Sequence, residues 1–158
     1  MAVAGASEAY YFPVLGEQVE TITALIAAGH PLDGRVDGGR YGYTPLALAA
    51  AEQKQRSVEA LIEGGADVNA AGASGFTPLS MAIRGGGGSP RDKEQTAIAV
   101  RYLIEHGALP TAKDVELVEG LMDSSLNPIF SDELKQFVRE AYDREAQHDQ
   151  ASTETGER

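Results

Sequence analysis

Apolar residues recur along the chain in three copies of one helical pattern. In the middle copy, Val58, Leu61 and Ile62 have the i, i+3, i+4 spacing of a single helix face, and Gly65 follows three residues later. Each copy predicts an amphipathic helix that ends at its glycine, because glycine adopts the left-handed conformation of helix C-termini without strain. The other two copies are Ile22, Leu25, Ile26 and Gly29, and Val100, Leu103, Ile104 and Gly107.

A second motif, Thr-Pro-Leu, begins at Thr44 and again at Thr77, 33 residues further on. Threonine caps helix N-termini, and proline fits the first helical position, where its missing N–H costs nothing. Small alanines follow on one side and favour close packing of helices. Each unit therefore predicts a short helix, a turn, a second helix and an extended connection rich in glycine. Since neither helix can bury its apolar stripe alone, neighbouring units must stack.

The second full unit contains an insertion of nine residues between its two helices. The inserted residues fall in the stretch "GGGGSPRDKE", residues 85–94, and four successive glycines cannot sustain a helix. We therefore expect the first helix to end near Arg84 and the second to run from about Pro90 to His106. The glycine segment, residues 85–89, is predicted to be a mobile loop that the fold does not need.

Both ends of the chain carry weaker helical signals. Residues 8–15 predict a short N-terminal helix, although the proline within them limits its length. Thr111 and Asp114 have the spacing of a capping box and predict a helix from about Lys113 to Met122, with a further amphipathic helix after it. Residues 147–158 lack apolar periodicity and are predicted to be a disordered tail.

One stretch of the sequence carries a family resemblance. "GADVNAAGASGFTPLSMAI", residues 65–83, resembles the ankyrin repeat across the turn, the Thr-Pro-Leu motif and the inner helix. The resemblance implies an all-α solenoid of stacked antiparallel helix pairs, with β-turn fingers and divergent helical caps. The single domain would span residues 1–146, with an N-terminal cap repeat at about 7–36, full repeats at about 37–69 and 70–110, and a C-terminal cap at about 111–146.

The chain departs from the ankyrin pattern at two places. The family usually has histidine after Thr-Pro-Leu, where it bridges adjacent repeats, and this sequence has Ala47 and Ser80 there. The usual Gly-His between the helices is replaced by Gln53-Lys54 in the first full repeat. These departures predict a stability below that of an idealised array.

Charge and composition narrow the functional classes. Thirteen basic against 24 acidic residues give a net charge of −11, which disfavours binding to nucleic acid or to anionic membranes. The absence of cysteine excludes disulfides and thiolate sites. The N-terminus lacks the features of a secretory signal, and no apolar run is long enough to span a bilayer. A cytoplasmic location is the expectation.

Candidate chemistry is sparse in this sequence. The four glycines are not followed by the Gly-Lys-Ser/Thr of a phosphate-binding loop. His30, His106 and His148 are widely separated, so we assign no metal ligand, no cofactor and no catalytic residue. The chain is expected not to be an enzyme. A hydrolase that uses clustered carboxylates stays open as a remote alternative.

The resemblance implies a module that binds another protein. Small acidic proteins similar to it often act, in bacteria, as inhibitors or immunity proteins against toxins, and this is the narrower hypothesis. A scaffold or regulatory subunit of a metabolic or stress-response protein is the alternative. We expect a partner of basic character, such as a toxin or effector, and a monomer when the protein is free.

The predicted binding positions follow from the register of the repeat. Tyr41 stands out as a large contact residue, whereas Tyr43 and Phe76 either contact the partner or pack locally against their fingers. The acidic C-terminal repeat provides a second-choice surface, comprising Asp114, Glu116, Glu119 and Asp123. The first-choice positions on the fingers and inner helices are Asp37, Arg40, Tyr41, Tyr43, Ala47, Ala51, Glu52, Ala73, Ser74, Phe76, Ser80 and Arg84.

Overall fold

The structure is a computed structural model that describes residues 8–36, 42–85, 90–122, 125 and 127–154. A 3₁₀ turn at Glu8–Tyr10 leads into the first of eight α-helices in these ranges. The helices are α1 (Tyr11–Leu15), α2 (Val19–Ala27), α3 (Pro45–Ala51), α4 (Gln55–Glu63), α5 (Pro78–Gly85), α6 (Pro90–Glu105), α7 (Ala112–Gly120) and α8 (Asp132–Glu154).

The helices form two rows. Helices that are consecutive in sequence pack in pairs, α1 on α2, α3 on α4, α5 on α6 and α7 on α8. The odd-numbered helices contact one another in order and form an inner row, and the even-numbered helices form an outer row. The predicted all-α stack of helix pairs is confirmed.

The stack buries α3 on nearly every side. Residues 45–50 of this helix are all buried, because α1 and α5 flank it and α4 covers it. Thr44 begins the helix as predicted, since its hydroxyl accepts a hydrogen bond from the N–H of Ala47 at 3.1 Å. The alanines of α3 are small enough for neighbouring helices to approach closely. The short, apolar inner helix is therefore stable only inside the stack.

Glycine permits two close backbone approaches between repeats. A Cβ on Gly85 would lie 2.3 Å from the carbonyl oxygen of Ala51, so this glycine is a packed residue and was wrongly assigned to a dispensable loop. Gly42 has φ +63°, and a Cβ there would lie 2.3 Å from the Cβ of Ala73 on the next finger. The N–H of Ala73 donates to the Gly42 carbonyl at 2.9 Å. Residues 86–89 of the predicted mobile loop lie outside the described residues.

Side chains also join successive repeats through hydrogen bonds. Gln53 has φ +56°, a conformation that favours glycine, and its side-chain amide donates to the Gly85 carbonyl at 2.5 Å and to Thr96 Oγ1 at 3.2 Å. Asn69 bonds to Gly107 O and to the N–H of Leu109 in the following repeat. The bonds of Gln53 join the repeats at a place where the sequence departs from the ankyrin pattern.

The last helix is longer than the sequence predicted. α8 continues to Glu154, so the segment from residue 147 to 154 is helical where a disordered tail was expected. Its residues 143–151 are exposed, and the helix there has no apolar stripe to bury. Residues such as Glu, Ala, Gln and Arg have high helix propensity, and they extend a helix that packing has already nucleated at its N-terminal half.

Leu61→Ala tests whether the outer helices are packed as part of one core. Leu61 is fully buried on α4, so the substitution leaves a cavity and is expected to lower the free energy of unfolding by about 2–5 kcal/mol. Urea denaturation measures this change. Ile98→Ala on α6 is the matched control, since Ile98 is 42% exposed. A loss at Leu61 no larger than that at Ile98 would contradict the packing described.

Gly85→Ala tests the close approach of α5 to α3. The added methyl group must displace the Ala51 carbonyl, and we expect a loss of about 1–3 kcal/mol in the free energy of unfolding. Gly120→Ala is the control, because a Cβ at Gly120 meets no atom within 4 Å and a helical alanine gains about 0.5–1 kcal/mol over glycine. Thermal unfolding of the two variants should therefore move in opposite directions.

Candidate partner-binding surface

Exposed residues on the second finger and at the ends of the inner helices form one candidate surface. Ala73 and Ser74 are exposed on the finger, Glu52 follows α3, and Arg84 lies in the last turn of α5. Phe76 lies between the finger and α5 and is half-buried. We call these five residues, Glu52, Ala73, Ser74, Phe76 and Arg84, the recognition surface. Ala51, also predicted here, is half-buried beside them.

The two aromatic residues that precede the Thr-Pro-Leu motifs have different surroundings. Tyr43 is half-buried and packs against the hydrophobic core. Phe76 lies outside that core, and its ring is covered by cations instead, Arg84 at 4.7 Å and Lys113 at 5.8 Å from the ring centroid. Local packing therefore accounts for Tyr43, whereas Phe76 is available at the surface together with two positive charges.

The prediction that Ala47 and Ser80 are exposed contact residues is wrong. Ala47 is fully buried and Ser80 is 8% exposed. Both lie at the third helical position of an inner helix, and α3 and α5 pack against each other over that face. The repeat spacing located this position correctly, but close stacking of the inner helices covers it.

Ser80 forms a buried hydrogen bond with the next repeat. Its hydroxyl donates to Asp114 Oδ1 at 2.6 Å. The other carboxylate oxygen of Asp114 accepts from the N–H and the hydroxyl of Thr111, at 2.9 and 2.8 Å. Asp114 is fully buried, so this carboxylate both caps α7 and joins α7 to α5. It occupies the same repeat position as Ala47 and Ser80, where the family usually bridges repeats with histidine.

Two of the four second-choice acids, Asp114 and Glu119, contact other side chains in the folded protein. Asp114 is buried in the hydrogen bonds just described, which corrects its assignment as a contact residue. Glu119 forms an ion pair with Arg139 of α8. Glu116 is exposed, and Asp123 lies outside the described residues. Among the described acids of this set, Glu116 therefore stays a candidate contact residue.

Three predicted residues of the first finger, Asp37, Arg40 and Tyr41, also lie outside the described residues. The finger closes just beyond them, where the N–H of Val36 donates to the Tyr43 carbonyl at 3.0 Å. Their role in binding stays a prediction from the register of the repeat.

The opposite side of the stack is formed by the outer helices. A groove of about 480 Å³ runs between α2 and α4 and is lined by Val19, Ile26, Arg56 and Glu59 among others. On the neighbouring α6, burial and then the charges of Glu59 and Glu63 raise the pKa of Tyr102 above its ordinary value. This side combines a mixed-charge groove with acidic residues.

The described residues form neither a metal site nor a membrane-spanning helix. Within the described ranges, no three His, Asp or Glu side chains gather closely enough to hold a metal ion. None of the helices in the described part of the chain is both long and apolar enough to cross a bilayer.

The paired helices, the bonded fingers and the threonine caps define a helical-repeat protein whose successive units pack through their inner helices. The family model for ankyrin repeats in three copies matches residues 12–114, well over half of the chain. The chain belongs to the ankyrin-repeat family. Ankyrin repeats generally bind other proteins and are typically not enzymes.

A curated relative provides a local comparison. Over 67 residues the chain is 39% identical to Rabankyrin-5 from Mus musculus. The matched part makes up 42% of this chain but 5% of Rabankyrin-5. The similarity therefore concerns the repeats and not the much longer protein.

Ser80→Ala tests the buried link between α5 and α7. Removing a donor to the Asp114 carboxylate is expected to cost about 1–3 kcal/mol in the free energy of unfolding. In an Asp114→Ala background the same substitution should cost much less, because the acceptor is already gone. Ser74→Ala, at an exposed finger position, is the control. Equal effects of Ser80→Ala in both backgrounds, measured by urea denaturation, would contradict the link.

Proposed function

We propose that this protein binds a partner protein through the recognition surface, without catalysing a reaction. The observation that carries the proposal is a set of exposed side chains on backbone segments that are bonded to, or packed against, the neighbouring repeat. Ser74 is exposed on a finger whose Ala73 N–H is bonded to Gly42 of the preceding finger. Arg84 extends from a helix that Gln53 and Gly85 fix against its neighbour.

Such an arrangement favours binding for an energetic reason. Ordering a loop or side chain on association costs free energy, and a surface whose backbone is already fixed avoids much of that cost. The hydrogen bond at Gly42 and the cap at Thr77 hold the finger and the start of α5 before any partner arrives. The surface also spans neighbouring repeats, which gives it more contact area than one helix pair provides.

The narrower proposal is that binding inhibits the partner, as an immunity protein inhibits a toxin. It rests on resemblance to small acidic repeat proteins and on the function of the family, and it assigns no chemistry to the chain itself. Occupation of a functional surface of the partner would then be the mechanism. Asp37, Arg40 and Tyr41 are proposed to extend the contact onto the first finger.

Ser74→Arg tests the location of binding. The substitution places a long charged side chain on the exposed finger and is expected to abolish or strongly reduce capture of the partner from the protein's own cells. Ala24→Arg is the matched control, since Ala24 is exposed on the outer helix α2 and receives the same added charge. Affinity capture followed by mass spectrometry identifies the partner with the wild-type protein, and titration measures its affinity for both variants.

One pattern of binding by the two variants would contradict the proposed location of the binding surface. Partner binding that survives Ser74→Arg but fails with Ala24→Arg would assign recognition to the outer helices. For the narrower proposal, the activity of the purified partner is measured with and without this protein. Unchanged activity in the stoichiometric complex would exclude inhibition and favour a scaffold.

A further inference from the structure

We propose that Phe76, Arg84 and Lys113 form a binding subsite for a carboxylate side chain on an acidic segment of the partner protein. This inference rests on the proposed function, because it specifies the chemistry that the recognition surface accepts. It reverses the expectation, drawn from the net charge, of a basic partner.

The three residues come from two neighbouring repeats. Phe76 precedes α5, Arg84 lies in the last turn of the same helix, and Lys113 lies in the first turn of α7. Both cations lie within about 6 Å of the Phe76 ring centroid, which is the range of cation–π attraction. Both cationic side chains are exposed. The Phe76 ring is therefore in contact with two positive charges at the surface.

Within the described part of the chain, the ion pairs found include neither cation. The ion pairs found there involve Arg101, Lys135 and Arg139, and not Arg84 or Lys113. Asp114 is next to Lys113 in sequence, but its carboxylate is buried and bonded to Ser80 and Thr111. In a chain with 24 acidic and 13 basic residues, two exposed cations that contact one ring and belong to none of these ion pairs are a distinctive local feature.

A second cation–π contact in the same protein includes a carboxylate that pairs with the cation, and the contact at Phe76 does not. Arg101 lies 4.9 Å from the Phe137 ring centroid, and it also pairs with Glu133 Oε1 at 2.9 Å. There the guanidinium group contacts an aromatic ring and a carboxylate at once. By the same chemistry, a carboxylate from a partner would complete the arrangement at Phe76.

The fold does not require these cations. One repeat earlier, the position of Arg84 is occupied by Ala51, and the position of Lys113 corresponds to Leu79. Leu79 is fully buried, whereas Lys113 is exposed beside Phe76. The burial seen at Leu79 therefore does not account for a lysine at residue 113, and the two cations are available for contact with a partner.

The observations favour a protein carboxylate over a nucleic acid. A guanidinium group presents paired donors that match a carboxylate, and the exposed ammonium group of Lys113 adds a further donor. The net charge of −11 repels an extended polyanion, whose binding requires a broad basic face. A single acidic side chain needs only the local field, and the Phe76 ring offers an apolar contact to the methylene groups of glutamate.

The test uses the full chain and a short synthetic peptide that carries one glutamate and no other charged side chain, with its glutamine counterpart as the neutral probe. Wild-type protein is expected to bind the glutamate peptide more tightly than the glutamine peptide, with NMR shifts at the Phe76 ring and the Arg84 side chain. Binding should weaken as salt is added. The double variant Arg84→Gln, Lys113→Gln should bind the glutamate peptide about tenfold more weakly or worse, since tenfold corresponds to about 1.4 kcal/mol.

Arg101→Gln provides the matched control, because it removes a cation that contacts a phenylalanine but already has a carboxylate partner. It should leave peptide affinity unchanged. Thermal unfolding checks that all variants are folded. The proposal is overturned if the glutamate peptide does not bind, if the double variant binds it as tightly as wild type, or if Arg101→Gln weakens binding equally. Tighter binding of a single-stranded oligonucleotide or of inorganic phosphate at the same side chains would also overturn it.

The two proposals fail in different ways. If Ser74→Arg abolishes capture of the natural partner while the glutamate peptide shows no binding, the recognition surface stands and the carboxylate subsite does not. If the peptide binds at Phe76 while partner capture is insensitive to Ser74→Arg, the subsite exists and the proposed binding surface is wrong.

Discussion

The rest of the structure depends on the packing of one inner helix against the next. No helix pair in this chain is wide enough to bury its own apolar stripe, and α3 becomes buried only because α1, α4 and α5 surround it. Alanine at the contacting positions and glycine at residue 85 allow backbones to approach within the distance that a side chain would occupy. The fingers then meet as well, since their separation is set by that of the helices. Burial between repeats therefore positions the surface that is available for recognition.

The close packing of successive repeats also explains the hydrogen bonds between polar groups inside the stack. A buried donor or acceptor without a partner costs free energy, and successive repeats offer each other the partners that water would otherwise supply. Gln53 reaches Gly85 and Thr96, Asn69 reaches Gly107, and Ser80 reaches Asp114. These links vary in residue type from one repeat to the next. At residue 80, where the family usually has histidine, the bond from Ser80 to Asp114 joins the two repeats.

The position of each charged side chain in this protein matters as well as its net charge. The total is strongly negative, yet folding buries Asp114, pairs Glu119 with Arg139, and leaves Arg84 and Lys113 exposed at Phe76. The net charge of −11 still disfavours polyanions, while two cationic groups contact one aromatic ring at a junction between repeats. Long-range and local electrostatics therefore select for different features of a partner, its overall charge and the side chain at its point of contact.

The sequence by itself determined the helices, their pairing and their order. Helical periodicity, threonine caps and terminal glycines are local signals, and each specifies backbone conformation within a few residues. The sequence by itself did not determine which side chains the stacking of the helices would bury. Alanine and serine are small residues that also occur at protein surfaces. Ala47 and Ser80 are buried only because the next inner helix packs over them. The bond from Ser80 to Asp114 and the placement of Lys113 beside Phe76 join residues more than 30 positions apart, and those distances exist only after the repeats have stacked.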